Sequence, residues 1–272
     1  MISSFLHKCM IDQCYVVLGI MLPFLGTSIG AAFVLFLKKS MSEKLSTILM
    51  GFTSGVMMAA AVWSLLIPSI DMSGSMGRLS FFPAASGFLA GILFLLLLDR
   101  LIPHLHAKTN HREGPEGHLK KITMMVLAVT LHNIPEGMAV GVAFSDCLSE
   151  VGTVTLAGAF LLSFGIALQN IPEGAIISMP LKESGKGRLQ SLGFGVLSGA
   201  VEPVAALFTL LLTKQIQSML SYLLAFAAGA MVYVIVEELV PESSGGENSD
   251  MGTIGFAVGF IIMMVMDVAF GG

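Results

Sequence analysis

Two seven-residue stretches decide the fold: Leu131-His132-Asn133-Ile134-Pro135-Glu136-Gly137 and, 37 residues further on, Leu168-Gln169-Asn170-Ile171-Pro172-Glu173-Gly174. Each lies inside a long apolar run, and their spacing is one membrane crossing plus a loop. Consecutive crossings run in opposite directions, so the copies face each other inverted, an arrangement associated with binding sites at the bilayer midplane. Each proline removes a helix hydrogen bond and frees a carbonyl one turn earlier. Each glycine permits close helix approach. On a helix His132 and Glu136 share a face, and Gln169 and Glu173 repeat this. The pair reads as two kinked helices presenting polar side chains to a common axis.

The rest of the chain agrees with a membrane setting. Of 272 residues, 55% are hydrophobic and 12% charged, about half the charge of a soluble domain. That excludes a water-soluble globular protein, a disordered chain and a nucleic-acid binder relying on a basic surface; the net charge of −4 adds nothing for polyanions. Eight apolar stretches are long enough to cross a bilayer: 15–37, 46–70, 80–101, 122–145, 153–179, 189–212, 218–239 and 253–270. They are continuous rather than alternating, which predicts helices. Short loops leave no room for a soluble domain, so 1–272 reads as one all-α polytopic domain surrounded by lipid. The first long run is of full span length, with no short run and cleavage site before it, so it is not read as a signal peptide.

Eleven of the 14 Lys and Arg fall in the loops after spans 1, 3 and 5. The positive-inside rule puts those loops in the cytoplasm and both termini outside. The loop 102–121 is then cytoplasmic and carries His104, His106, His111 and His118, a weak metal binder or a solvated loop. All three cysteines (Cys9, Cys14, Cys147) fall outside, where a Cys9–Cys14 disulfide is an option.

The chemistry sits in the acids. Glu136 and Glu173 lie at the centres of spans 4 and 5, and Glu202, followed by Pro203, near the middle of span 6. A carboxylate in hydrocarbon costs several kcal/mol unless paired or protonated, and no Lys or Arg lies deep in any span to pair with it. With His132 beside them, a bound metal ion is favoured over protonation. In span 2, Met57, Ser64 and Asp71 recur every seven residues on one face, a path from the outer mouth down to a thioether. Asp99 and His104 end span 3, and Glu237, Glu238 and Glu242 end span 7, placing an exit on the cytoplasmic side. Asp267 reads as an interfacial residue. Imidazole argues against Mg2+ and Ca2+, and the lack of a central Cys argues against copper(I). Imidazole with carboxylate suits Zn2+, and also Fe2+ or Mn2+; the thioether adds Cd2+. The ion is cargo, and no cofactor is expected. The alternative is an intramembrane metal-dependent hydrolase with Glu136 or Glu173 as general base, but the zinc-protease pattern of two His around a Glu is absent.

On His-Asn-x-Pro-Glu-Gly followed by Gln-Asn-x-Pro-Glu-Gly, on eight spans and on the His-bearing third loop, the chain resembles the ZIP (Zrt/Irt-like) family, in its compact, prokaryote-type branch. The resemblance implies uptake of divalent metal through a cell membrane by a 3+2+3 helix arrangement with inverted outer triplets. It maps the metal site onto Met57, His132, Asn133, Glu136, Gln169, Asn170, Glu173 and Glu202, with Glu136 and Glu173 placed to bridge two ions. It also implies a homodimer and, as argued for some members, an elevator-like sliding of spans 1, 4, 5 and 6. The chain departs from the family with Gln169 where many members have His, Asn170 where some have Asp, and Glu237-Glu238 where His-Glu is usual.

Overall fold

A computed structural model of the chain describes residues 2–36, 42–101, 104–105, 112–113, 121–149, 152, 154–183, 185–216, 219–245 and 248–270. The long apolar runs become helices because in lipid every backbone N–H and C=O must find its partner within the segment. In chain order they are α1 (Ile2–Phe36), α2 (Glu43–Ala60), α3 (Ile67–Met72), α4 (Phe81–Leu101), α5 (Lys121–Cys147) and α6 (Leu156–Glu183). There follow α7 (Arg188–Gly199), α8 (Val201–Ile216), α9 (Leu220–Val234), α10 (Val240–Ser244) and α11 (Ser249–Phe270). Among the described residues seven segments are long and apolar enough to cross a membrane: Cys14–Phe36, Glu43–Met72, Phe81–Arg100, Leu156–Lys182, Arg188–Leu212, Leu220–Ser244 and Ser249–Phe270. The remaining run expected from the sequence is α5, 27 residues long, whose middle is the polar stretch around Pro135. The chain is a multi-pass membrane protein.

The loop 102–121 holds one short antiparallel pairing among its described residues. In it β1 (His104–Leu105) meets β2 (Arg112–Glu113), with His104 opposite Glu113. The side chain of His104, and all of His106, His111 and His118, lie outside the described residues. Cys14 is a free thiol. The side chain of Cys9 lies outside the described residues.

Prolines shape the spans. Pro68 has no N–H to return to the preceding turn, and ahead of it the helix widens into a π turn, Ala61–Leu66, where the Ile67 N–H reaches the Val62 carbonyl five residues back. The same occurs ahead of Pro241. There Ile235–Leu239 forms a π turn closed by the Val240 N–H on the Ile235 carbonyl. The span that holds Pro203 breaks instead. The Ala200 N–H turns back to Leu197, ending α7, and Glu202 falls in the first turn of α8.

The helices pair by extensive packing: α1 with α6 and α7, α5 with α8, α2 with α11, and α4 with α9. Glycines make this close. A Cβ on Gly26 or Gly30 would strike the α6 backbone at Ala167 or Ile171, and one on Gly51 or Gly55 would strike α11 at Gly252 or Phe256. Outward faces are apolar, with Val17, Leu18, Phe208, Leu211 and Val268 more than half exposed. Polar side chains are instead gathered inside, the reverse of a soluble protein.

Candidate metal centre

Helices α5 and α6, unbroken through Pro135 and Pro172, and the first turn of α8 bring to the centre side chains that are almost wholly acid and amide. Asn133, Glu136, Gln169, Asn170 and Glu202 are fully buried, and Glu173 is nearly so at 8% exposure. Gln169 donates from Nε2 to Oε1 of Glu136 at 2.6 Å, joining the two copies of the repeat side chain to side chain. Asn133 donates from Nδ2 to the Ser198 carbonyl at 3.1 Å, two residues before the break between α7 and α8. Thr27, on α1, donates to Oε1 of Glu202 at 3.0 Å. Asn170 donates from Nδ2 to the Pro23 carbonyl at 3.5 Å. Glu173 is close enough to Glu136 and Glu202 for their charges to repel.

Donors run out before acceptors do. Oδ1 of Asn133, Oε2 of Glu136, Oε1 of Gln169, Oδ1 of Asn170 and Oε2 of Glu202 are all buried without a hydrogen-bond partner. Buried polar atoms are normally satisfied, and exceptions call for an explanation. Among the described residues no Lys or Arg is buried that could supply the charge. An assembly of oxygens from carboxylates and amides, lacking cations and donors, suits a positive guest.

Met57 is 1% exposed. One turn before it on α2, Thr53 donates to the Gln169 carbonyl at 3.4 Å, so this face of α2 lies against α6 at the repeat. The side chain of His132 lies outside the described residues; its backbone is one turn ahead of Glu136 on α5. Among the described residues no three His, Cys, Asp or Glu side chains close a cage by themselves. The centre interleaves them with amides, which are poorer ligands.

The polar residues along the path fare unequally. At one end Ser64 and Asp71 line a cavity of about 340 Å³ together with Trp63, Thr155 and Asp267. Asp267, expected at the interface, stands half-buried three residues before the end of α11. It turns inward and accepts a hydrogen bond from Ser64 at 2.7 Å, because the close packing of α11 on α2 brings it over the Ser64 face. A lone acid late in an otherwise apolar run was the available signal. At the other end Asp99 is buried and accepts from the Tyr233 hydroxyl. Glu238 and Glu242 are buried, whereas Glu237 is exposed: the π turn sends the two neighbouring acids to different sides, and Glu237 does not join the interior. Thr27 and the Ser198 carbonyl went unrecognised in the sequence.

Fold and centre together define a class, the multi-pass membrane proteins with an acid-rich polar site between inverted helix copies. Comparison narrows it. The family model described as ZIP Zinc transporter matches residues 118–267. The chain is 32% identical to Zinc transporter ZIP11 of Homo sapiens, covering 90% of this chain and 94% of that protein. It is 33% identical to Zinc transporter ZIPB of Bordetella bronchiseptica, over 94% and 82% of the two chains. To Zinc transporter GufA of Myxococcus xanthus it is 36% identical, over 90% and 95%. The chain belongs to the ZIP zinc transporter family. These relatives are named as transporters and not as enzymes, which sets the hydrolase alternative aside.

Proposed function

We propose that this protein carries a divalent transition-metal ion, Zn2+ before Cd2+, Fe2+ or Mn2+, into the cytoplasm across a cell membrane. The ion is held by Met57, His132, Asn133, Glu136, Gln169, Asn170, Glu173 and Glu202, with Glu136 and Glu173 able to bridge two ions. Ser64 and Asp71 line the way in, and Asp99, His104 and Glu238 the way out; Glu237 is retained only as a surface acid at the exit. The observation that carries the reading is the set of five buried oxygens without donors in a centre with no buried Lys or Arg among the described residues. The names of the relatives favour zinc.

The wider architecture follows the same reading: one domain over 1–272, eight spans in a 3+2+3 order with α5 as the fourth, termini outside, loop 102–121 in the cytoplasm, and a homodimer. An elevator-like motion of α1, α5, α6 and α7–α8 against the other helices is supported by how glycines distribute. Among the described residues, every helical glycine whose added Cβ would strike a neighbouring helix's backbone does so within one of these two groups. Purified protein in liposomes is expected to take up labelled zinc, and Glu136→Ala or Glu173→Ala to abolish uptake. Normal uptake in both variants refutes the ligand assignment. Competition by Cd2+, Fe2+ and Mn2+ in the same vesicles ranks the ions.

A further inference from the structure

Two of the buried carboxylates share a pattern: one oxygen is held by a donor and the other has none. In Glu136 the held oxygen is Oε1, bonded by Gln169, and Oε2 is left over. In Glu202 it is again Oε1, bonded by Thr27, and again Oε2 is left over. Gln169 belongs to the repeat. Thr27 does not; it comes from α1, 175 residues away from the acid it touches.

The surroundings of Thr27 are built to fix that hydroxyl. The residue is completely buried. It lies in a slot between two glycines: a Cβ on Gly174 of α6 would strike the Thr27 carbonyl, and one on Gly199, the last residue of α7, would lie 2.7 Å from its Cβ and 3.0 Å from its Oγ1. A β-branched side chain is stiff about χ1, and in this slot it has little room to turn. The second acceptor in reach, the Pro23 carbonyl, stands at 3.4 Å against 3.0 Å for the carboxylate. A hydroxyl has one proton to donate, and the shorter, charge-assisted bond to an ionised Glu202 is the stronger use of it.

We propose that Thr27 is a positioning residue of the metal centre, holding Oε1 of Glu202 so that Oε2 is the oxygen offered to the ion. The inference rests on Glu202 being a ligand, as read above. Without the hydroxyl, Glu202 sits in the first turn of α8 with both oxygens unheld, and must be ordered each time an ion arrives. The cost falls on affinity, while the moving parts are unchanged.

The test measures initial rates of zinc uptake in liposomes against zinc concentration, normalised to monodisperse protein. Thr27→Val keeps the shape and deletes the hydroxyl; it is expected to raise KM about tenfold with the maximal rate within about twofold, the scale of one hydrogen bond to a charged group. Thr27→Ser is expected to restore the parent KM. Should the valine variant not fold, Thr27→Ala against Thr27→Ser gives the same contrast. Glu202→Gln is run alone and combined with Thr27→Val, and the double variant is expected to be no worse than Glu202→Gln. A parent-like KM in the hydroxyl-free variants, or a serine variant as impaired as they are, overturns the positioning role, the second result assigning Thr27 to packing. If Glu202→Gln itself leaves KM unchanged, it is the ligand assignment of Glu202 that fails, and the inference falls with it.

Discussion

At the scale of single residues, Gln169 has a double duty. Its Nε2 orients Glu136 and its own Oε1 is left for a guest. A near-isosteric Gln169→Leu removes both functions and leaves a buried carboxylate unheld, so zinc uptake is expected to fall at least about tenfold. Gln169→His offers a ring nitrogen in place of the amide oxygen. Because imidazole favours zinc over manganese more than an oxygen ligand does, this variant is expected to retain transport and resist Mn2+ competition better than the parent. An unchanged Mn2+ competition curve would exclude Gln169 from the ion's coordination. The acids and amides of the centre were legible in the sequence because each interrupts a long apolar run, where an unpaired charge is costly. Thr27 was not, since a threonine in a membrane helix commonly satisfies itself on the preceding turn, and only the fold shows that its proton goes elsewhere. For Asp267 the depth could be inferred but not the rotation of its helix, which brings it onto Ser64.

At the scale of elements, the spans were legible in their length and continuity, and the interruptions inside them were not. Pro68, Pro203 and Pro241 each announce a disturbed helix, yet two answer with a π turn and one with a break. Which results depends on what the neighbouring helix permits. At Pro203 the constraint is visible: α8 lies so close to α5 that a Cβ on Gly137 would strike the Glu202 carbonyl. Gly137→Val is therefore expected to cost about 1–3 kcal/mol of stability through overpacking and to displace Glu202. Gly193, in α7, faces open space. Gly193→Ala is expected to be neutral or to gain a few tenths of a kcal/mol, up to about 1 kcal/mol, from helix propensity. Thermal unfolding of both variants in one detergent checks the contrast. Equal melting points would mean that the contact of α5 with α8 is not tight.

At the scale of the whole molecule, the same interlocks bear on the proposed elevator-like motion. Glycine on backbone keys α1 to α6 and α5 to α8 on one side of the proposed sliding boundary, and α2 to α11 and α4 to α9 on the other. Across the boundary, among the described residues, the glycine in contact is Gly165 of α6, and it meets the Met263 side chain of α11, with Sδ 2.5 Å from where a Cβ would stand. A thioether chain adapts by rotating three bonds, whereas a backbone cannot give way, so this glycine contact does not lock the proposed boundary. On the proposed motion the centre travels with the first group, and Met57 of α2 is the residue expected to be left behind. A covalent bond across the boundary should then stop turnover without emptying the site. In a background with Cys9, Cys14 and Cys147 replaced by serine, Gly165→Cys with Met263→Cys supplies such a bond, and shortening residue 263 clears the space that the new Cβ needs. Oxidation is expected to abolish zinc uptake in liposomes and a reductant to restore it, while calorimetric zinc binding by the oxidised protein in detergent persists. Undiminished uptake by fully cross-linked protein would show that the two groups do not move past one another along this face.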